Sequence, residues 1–516
     1  DSEVHRLMGM FDLFRRSALP VARREPVVTV PSGPARVVRY SGASQKARFG
    51  DFSGYNGRSA DAELNQALSI LRNRSRMLYR DNPHARRYIN LRGDNIVGAS
   101  GFSVSVSAVN TTGRPDDSGN TRVETAWNEW CKSPSANSNL TFAEVCRLVD
   151  TSRARDGDVF VEMVMSDNAD KFGLIVHEAD MVDETLNRPS DGKSNAIKMG
   201  VEVNHIGKPV AYHFWTYHRG DPIATDGTRA HRRVSVENII HVYKTTRPGQ
   251  TRGEPDMVAV MTRLKMVEGY REAEVTGRRL RSSIGGWLES DLPDSNSVEE
   301  MADRSDASGL EMDVEAGQVR GLPPGVKFKA FDPTTGNDDG SKFVKGELQA
   351  ISVGLNVSYP LLANDLEAVS FSSIRAGTIA DQDTWIAEQA FLIGHFVMPV
   401  FKKWLRAWFN WNPGSLPFSR YEKFVSATTF SGRRWKWVDP LKDVSASIEE
   451  IDAGLTSYSR LARERGIDFA ELVRELAADQ ALLKAAGVTI GQIKNGNKLA
   501  ADEQDDEGAK GGSGVD

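Results

Sequence analysis

The sequence predicts an α+β fold that is mostly helical and carries a protruding helical hairpin. Helical patterns open the first half of the chain and short alternating strands follow them, which is the α+β order. In the middle, two helical segments, 257–283 and 343–355, flank an insert. Residues 284–316 of that insert hold ten acidic side chains and one basic one, so it cannot form a core. Such a hairpin is unusual in enzymes of this size and indicates a structural machine.

Composition sets the outer limits. A chain of 516 residues is long enough for two to four domains, and 40% hydrophobic with 26% charged residues is typical of a globular protein. The net charge of −5 gives no overall basic footprint, so any nucleic-acid contact must be local or weak. Two cysteines are too few for a disulfide framework, and no apolar run is long enough to span a bilayer.

The first elements are an arm and a set of capped helices. Residues 1–58 combine a short amphipathic piece with Pro-, Gly-, Ser- and Arg-rich sequence, which is typical of arms that order on a neighbouring subunit. Because the numbering begins without a methionine, we expect a trimmed or processed chain. The first helix is predicted from Asp61. Asn82-Pro83 then predicts a capped second helix that stops at Gly98, and Thr141 with Glu144 predicts a capping box.

Strands and further helices follow. The turn Asp156-Gly157-Asp158 leads into a strand, and period-2 patterns predict strands at 102–106, 159–164, 174–176, 199–203, 210–215, 239–243 and 435–438. Residues 371–411 predict a long helical stretch interrupted at Pro399. Its apolar stripe is interpreted as core or subunit packing and consists of Trp404, Trp408 and Trp411. Residues 441–487 are largely helical, and the acidic, glycine-rich tail from 494 is predicted to be disordered.

No catalytic, cofactor-binding or metal-binding residue is predicted. The histidines that could suggest a metal site lack the spacing of a zinc motif, and a structural or surface role is favoured for His205, His213, His218, His231 and His241. A two-metal nuclease could use the carboxylates Asp156, Asp158, Glu162, Asp180 and Asp183, but their order fits no such motif and we expect them to be solvated. Neither cysteine has a neighbouring base, and no P-loop motif occurs.

From Ile239 onward, IIHVYKTTRPGQTRGEPDMVAVM resembles the portal proteins of tailed double-stranded DNA phages, the lambda-type family. Collinear motifs extend this resemblance over about 360 residues. In the first half they are RDNPHARRYINLRGDNIVGASG (80–101), RARDGDVFVEMV (153–164), HEADMVD (177–183), GVEVNHIGKPVAYHFW (200–215) and HRGD (218–221). In the second half they are LPPGVKFKAFDP (322–333), ISVGLNVSYPLLANDLEAVSFSSIRAG (351–377) and WKWVDPLKD (435–443).

The resemblance implies a ring, typically of twelve subunits, at one vertex of a capsid. It implies a mostly helical portal fold with wing, stem, clip, tunnel loop and crown. On this sequence the parts are an N-terminal arm at 1–58, the wing at 59–253, the first stem helix at 254–283, the clip at 284–340, the second stem helix at 341–361, the tunnel loop at 362–372, a long helix and wing return at 373–444, the crown at 445–490 and a tail at 491–516. We expect the first stem helix to begin at Asp256.

The charge pattern suggests which residues face DNA. A channel must admit DNA without holding it, and a strongly basic ring would hold it through counterion release. The tunnel-loop candidates contain no basic residue; they are Asn364, Asp365, Glu367 and Ser370. The basic band is expected at the end of the first stem helix, at Arg278, Arg279 and Arg281. Two interpretations of this band stay open: a phosphate-facing ring, or salt bridges between subunits and the acidic clip.

The acidic clip is interpreted as the docking surface for the terminase packaging motor and later for head–tail connectors. Its candidate residues are Asp294, Glu299, Glu300, Asp303 and Asp306. Further expected partners are double-stranded DNA, major capsid protein and scaffolding protein, with assembly in the host cytoplasm, residence in the virion and no membrane contact. Two alternatives are another ring-forming connector or baseplate subunit and, more remotely, a metal-dependent nuclease that uses the 205–241 histidines.

Overall fold

The computed structural model describes residues 57–165, 172–222, 230–282, 286–290, 326–330, 340–367, 371–435, 440–464 and 469–485. The chain divides into a unit of residues 1–58 and a unit of residues 59–516, and the contacts below lie in the second unit. The described elements are helices and antiparallel strands, which confirms the α+β class. Among the described helices, none is long and apolar enough to cross a membrane.

Four helices lie in the first part of the second unit, and the caps of two of them, α2 and α4, are the ones that the sequence predicts. They are α1 (Ala60–Asp81), α2 (Pro83–Arg92), α3 (Asp117–Trp130) and α4 (Phe142–Asp156). The Asn82 side chain accepts bonds from the amides of His84 and Ala85, and Pro83 occupies the first turn of α2. Thr141 and Glu144 form the reciprocal capping box of α4. A π-helical turn, Gly93–Val97, extends α2 as far as Gly98.

Two antiparallel sheets follow. The first has β2 (Asp158–Met165) between β3 (Phe172–His177) and β8 (Ile239–Tyr243); the second runs in the order β4 (Ala196–Lys198), β5 (Val201–Val203), β6 (Pro209–Trp215) and β7 (His231–Ser235). The turn before β2 requires glycine, because Gly157 has a φ of +97° and a Cβ there would lie 2.6 Å from the carbonyl oxygen of Gly253. The loop that leads to the hairpin is thereby packed directly on the α4–β2 turn.

The predicted hairpin contains two helices, α5 (Met261–Ser282) and α6 (Gly340–Gly354), and a short strand pair between them. The prediction that the first helix starts at Asp256 is wrong. Residues 256–260 form turns, because the Asp256 amide donates to Ala154 O at 2.9 Å and ties the chain to the end of α4. The 22 residues of α5 span about 33 Å at 1.5 Å per residue.

Inside the acidic insert, β9 (Gly286–Ser290) pairs antiparallel with β10 (Val326–Ala330), a pairing that was not predicted. After α6, the chain forms the short helix α7 (Tyr359–Ala363), and α8 begins at Phe371. The predicted tunnel loop at 362–372 therefore overlaps helices at both ends, and only residues 364–370 lie between them.

The long helical stretch is continuous where an interruption at Pro399 was predicted. Helix α8 (Phe371–Leu392) passes through a π-helical turn, Ile393–Val397, into α9 (Met398–Trp411). The wide turn lies just before Pro399, which lacks the amide hydrogen that a regular α-helix needs there. Trp404 is buried and packs edge-on against Trp127 at 5.0 Å between ring centroids, which confirms core packing for this residue.

The remaining described elements complete the same unit. They are β1 (Ser103–Val106), α10 (Tyr421–Ala427), β11 (Thr428–Ser431), α11 (Pro440–Asp452), α12 (Tyr458–Glu464) and α13 (Phe469–Ala485). Strand β11 pairs antiparallel with β1. Of the strand predicted at 435–438, residues 436–438 lie outside the described residues, and Trp435 lies outside any strand. The short segment TTFS becomes a strand because β1 supplies its partner.

Candidate nucleic-acid interface

The predicted basic band lies on the last turns of α5. Arg278 is exposed and donates from Nε to Glu274 Oε1 at 2.9 Å, an i to i+4 pair on one helix face. Arg279 is also exposed, while the side chain of Arg281 lies outside the described residues. At about 100° per residue, the three positions spread over roughly 160° of the helix circumference. One helix therefore cannot point all three arginines in the same direction.

The start of the predicted tunnel loop has a defined geometry. Asn364 adopts the left-handed conformation, with φ of 55°, and ends α7. The Asp365 carboxylate accepts hydrogen bonds from Tyr359 Oη at 2.7 Å and from the Glu367 amide at 3.0 Å. Its Oδ2 also lies 3.2 Å from Lys345 Nζ of α6. Glu367 is exposed, and Ser370 lies outside the described residues.

Contacts around α7 fix this loop to the hairpin. The Lys345 ammonium lies 5.5 Å from the centre of the Tyr359 ring, and the Ser358 amide donates to Asp381 of α8 at 2.9 Å. The two hairpin helices are joined by Arg263 and Glu347 at 2.7 Å.

The predicted docking residues Asp294, Glu299, Glu300, Asp303 and Asp306 lie outside the described residues.

A nearly buried ion-pair cluster, which we call the root cluster, holds the base of α5. Arg92 pairs with Asp150 and Glu388 at 2.8 Å each, and Arg153 pairs with Asp256 at 2.7 Å. Tyr88 donates to Asp256, and Lys244 pairs with Glu388. Burial alone would raise the pKa of Asp256, but Arg153 and Arg92 outweigh it and lower the pKa to about 2. The cluster thus connects α2, α4, α8 and the residue after β8, Lys244, to the loop that leads into α5.

The carboxylates that could suggest a nuclease are not solvated, contrary to the prediction. Asp156 and Asp158 are buried, and Asp158 pairs with the buried Arg252 at 3.2 Å. The other three carboxylates also have partners: Glu162 pairs with Arg232, Asp180 with Arg72 and Arg76, and Asp183 contacts the His231 ring. Arginines therefore neutralise Asp158, Glu162 and Asp180, which leaves little charge for two metal ions.

The histidines likewise pair one by one with separate carboxylates. Distances to the partner oxygens are 3.5 Å for His213 and Glu202, 2.9 Å for His231 and Asp183, and 3.2 Å for His241 and Asp158. His205 is exposed in a turn. In the described part of the chain, one trio could hold a metal ion, Glu178, Asp180 and His218. Arg76 already pairs with both of its carboxylates, so these residues do not fit a catalytic metal.

Local sequence patterns gave little sign of these ion pairs. Arg72, Arg153 and Arg252 are fully buried. Arginine is rarely buried without a partner, and these partners lie far away in the sequence. The one local signal is the spacing of Arg72 and Arg76 beside buried leucines on α1, which places both arginines on the core-facing side of that helix.

The fold and these segments form a hairpin-bearing α+β subunit without a catalytic centre among its described residues, and comparisons with known proteins give its family. The model of the lambda family of phage portal proteins matches residues 50–389. A probable portal protein of Halomonas phage phiHAP-1 is 28% identical over 494 residues, covering 94% of this chain and 93% of that protein. Portal protein B of Escherichia phage lambda is 22% identical over 515 residues, covering 90% and 94%.

Solved structures give a further comparison. A chain from the neck of the empty gene transfer agent particle covers 80% of this chain and 96% of its own length, at 15% identity and a TM-score of 0.42. A chain from the native neck, computed with C12 symmetry, covers 76% and 93%, at 14% identity and a TM-score of 0.43.

This chain belongs to the lambda family of phage portal proteins. It is a structural protein that forms a homo-oligomeric ring at a capsid vertex of the virion, where DNA is packaged, and it is not an enzyme. Family membership also removes the alternative of an unrelated connector or baseplate subunit, and with the paired histidines it removes the nuclease.

Proposed function

We propose that α5, α6 and the loop at 364–370 line the DNA channel of the portal ring. The exposure of α5 is the main support. Met261, Leu264 and Val267 are buried in the core, whereas no residue from 268 to 279 is buried. The outer half of α5 therefore leaves the core of its own subunit, as a helix that lines a channel must do.

Charge pairing within the hairpin supports weak contact with DNA. Helix α5 has six basic and three acidic residues. Three of the basic side chains pair with glutamates, Arg263 with Glu347, Lys265 with Glu268 and Arg278 with Glu274. A side chain that is already paired displaces fewer counterions from DNA, so each pair reduces phosphate binding and its salt dependence. A channel wall of this kind lets DNA slide.

The arginine band is proposed to face DNA in part. Because Arg278, Arg279 and Arg281 spread over roughly 160° of the helix circumference, some of them are available to the lumen while others face a neighbouring subunit. We expect at least one of the three to face the lumen. The remaining arginines then make the salt bridges between subunits.

The acidic insert is proposed as the docking end of the ring. Its charge would steer a basic surface of the terminase motor during packaging and of a head–tail connector afterwards. We further propose that twelve copies form the ring, that it assembles in the host cytoplasm, and that capsid and scaffolding proteins surround it.

Site-directed photo-crosslinking tests the channel assignment. A cysteine-reactive photo-crosslinker is placed at Arg279→Cys on α5 or at Leu366→Cys in the loop, in rings that carry Cys131→Ser. The matched control is Ile70→Cys, an exposed residue of α1. DNA inside packaged particles should crosslink at positions 279 and 366 and not at 70. No DNA crosslink at either test position would contradict the assignment.

A further inference from the structure

A small anion-binding site, which we call the seat, lies beside the loop that follows α7. The carboxylate of Asp365, a residue of this loop, occupies it. Two side-chain donors meet at the Asp365 carboxylate: Tyr359 Oη at 2.7 Å and Lys345 Nζ at 3.2 Å. One donor is neutral and the other is cationic, and they reach the carboxylate from two different helices. These are also the kinds of donor that bind a phosphate oxygen.

Further positive charge surrounds this seat. Burial and the hydrogen bond to Asp365 raise the pKa of Tyr359 to about 12, against an opposing effect of Arg271 on α5. Arg271 also contacts the His84 ring at 3.2 Å, and Arg87 donates to Leu361 O at 3.4 Å. Without the Asp365 carboxylate, Lys345 and Arg271 would present a basic site at the start of the loop.

The Asp365–Lys345 pair is suited to exchange. The Lys345 side chain is 44% exposed and that of Asp365 is 25% exposed, so water and ions reach both. Exposed ion pairs contribute little to stability, and a phosphate can replace a carboxylate beside a lysine at small cost. Asn364, in the left-handed conformation, and the exposed Leu366 flank Asp365 in the chain.

We propose that Asp365 is an internal competitor for DNA phosphate at a seat formed by Lys345 Nζ and Tyr359 Oη. The proposal rests on the proposed function, because it requires this loop to face DNA. With Asp365 in place, each subunit presents a neutralised seat to the DNA. Because the seat is neutralised in every subunit, the total attraction of the ring for DNA stays low, although every subunit carries the basic donor.

Equilibrium binding of a short random-sequence DNA duplex to purified rings over a series of salt concentrations tests the proposal. Asp365→Asn keeps an acceptor for Tyr359 and removes the charge, so DNA affinity should rise several-fold at low salt. The slope of log affinity against log salt should steepen by about 0.9 for each phosphate newly contacted. The double variant Asp365→Asn with Lys345→Met should return affinity and slope to the wild-type values.

Glu367→Gln is the matched control, because it removes the same charge from the same loop without uncovering Lys345. Equal affinity gains in Asp365→Asn and Glu367→Gln would overturn the proposal, as would a gain that survives Lys345→Met. Ring assembly is checked for each variant by size and mass. If DNA crosslinks at position 366 but Asp365→Asn does not change the DNA affinity, the seat alone is overturned. If no DNA crosslinks at position 366, the loop assignment on which the seat rests is overturned.

Discussion

Buried charges with fixed partners dominate this subunit at the residue scale. Asp158 is fully buried against Arg252 and His241, and Asp256 lies between Arg92 and Arg153. A buried ion loses its hydration, so it persists only where partners surround it, and removal of one partner leaves an uncompensated charge. These carboxylates consequently hold the surrounding helices and strands together, and they do not form a reactive centre.

The root cluster should make ring stability depend on acid pH through Asp256. Its pKa in the folded state, about 2, lies below the ordinary value of about 3.9 for an unfolded chain. The stabilisation of about 2–3 kcal/mol is therefore complete above about pH 5 and is lost as pH falls through 4 towards 2. Asp256→Asn should lower the free energy of unfolding at pH 7 by about 3 kcal/mol, because Arg153 loses its closest charged partner.

Denaturant unfolding at one fixed protomer concentration checks this prediction from pH 7 to pH 3, because ring assembly itself stabilises the fold. The difference in unfolding free energy between the wild type and Asp256→Asn should shrink as the pH falls. A difference that stays constant over this range would show that the charge of Asp256 has no part in it.

At the element scale, local sequence patterns predicted the elements well where the chemistry is local. The Asn82 cap, the Thr141–Glu144 capping box and the turn at Gly157 were all expected, because each depends on residues within a few positions. The first turn of α5 was misplaced because the end of α4 captures the Asp256 amide, a contact over about 100 residues. The pairing of β1 with β11 and the buried arginines depend on similar distant partners, which no local pattern records.

The turn at Gly157 offers a prediction about how α4 and the hairpin loop are joined. Gly157→Ala should destabilise the subunit by more than about 1 kcal/mol, because the residue has a positive φ and its Cβ would collide with the Gly253 carbonyl. Gly113→Ala is the control, since Gly113 also has a positive φ, +78°, but has open space around it. Thermal unfolding of both variants should show the larger loss for Gly157→Ala; equal losses would mean that the close approach to Gly253 is unimportant.

At the scale of the whole molecule, the subunit combines a packed body with a hairpin helix, α5, whose residues 268–279 are not buried. The body is held by one large apolar core that includes the base of α5, part of α6 and the long α8–α9 helix. The outer half of α5 has no such core, and neighbouring subunits in the ring would have to supply its lateral contacts.

Ring formation should not require the acidic insert. Replacement of residues 295–315 by a short Gly/Ser linker removes seven acidic residues and one arginine, and should leave ring assembly intact. Binding of the packaging motor, measured by co-sedimentation with intact rings, should fall sharply, most of all at low salt where charge steering is strongest. Unchanged motor and connector binding by such rings would remove the docking role.

A side-chain-resolution reconstruction of the purified ring with DNA in its channel tests the central claim most directly. We predict a twelve-subunit ring whose lumen is lined by α5, α6 and residues 364–370, with at least one of Arg278, Arg279 and Arg281 facing the DNA. A lumen lined by other elements, with all three arginines in subunit interfaces, would contradict the account.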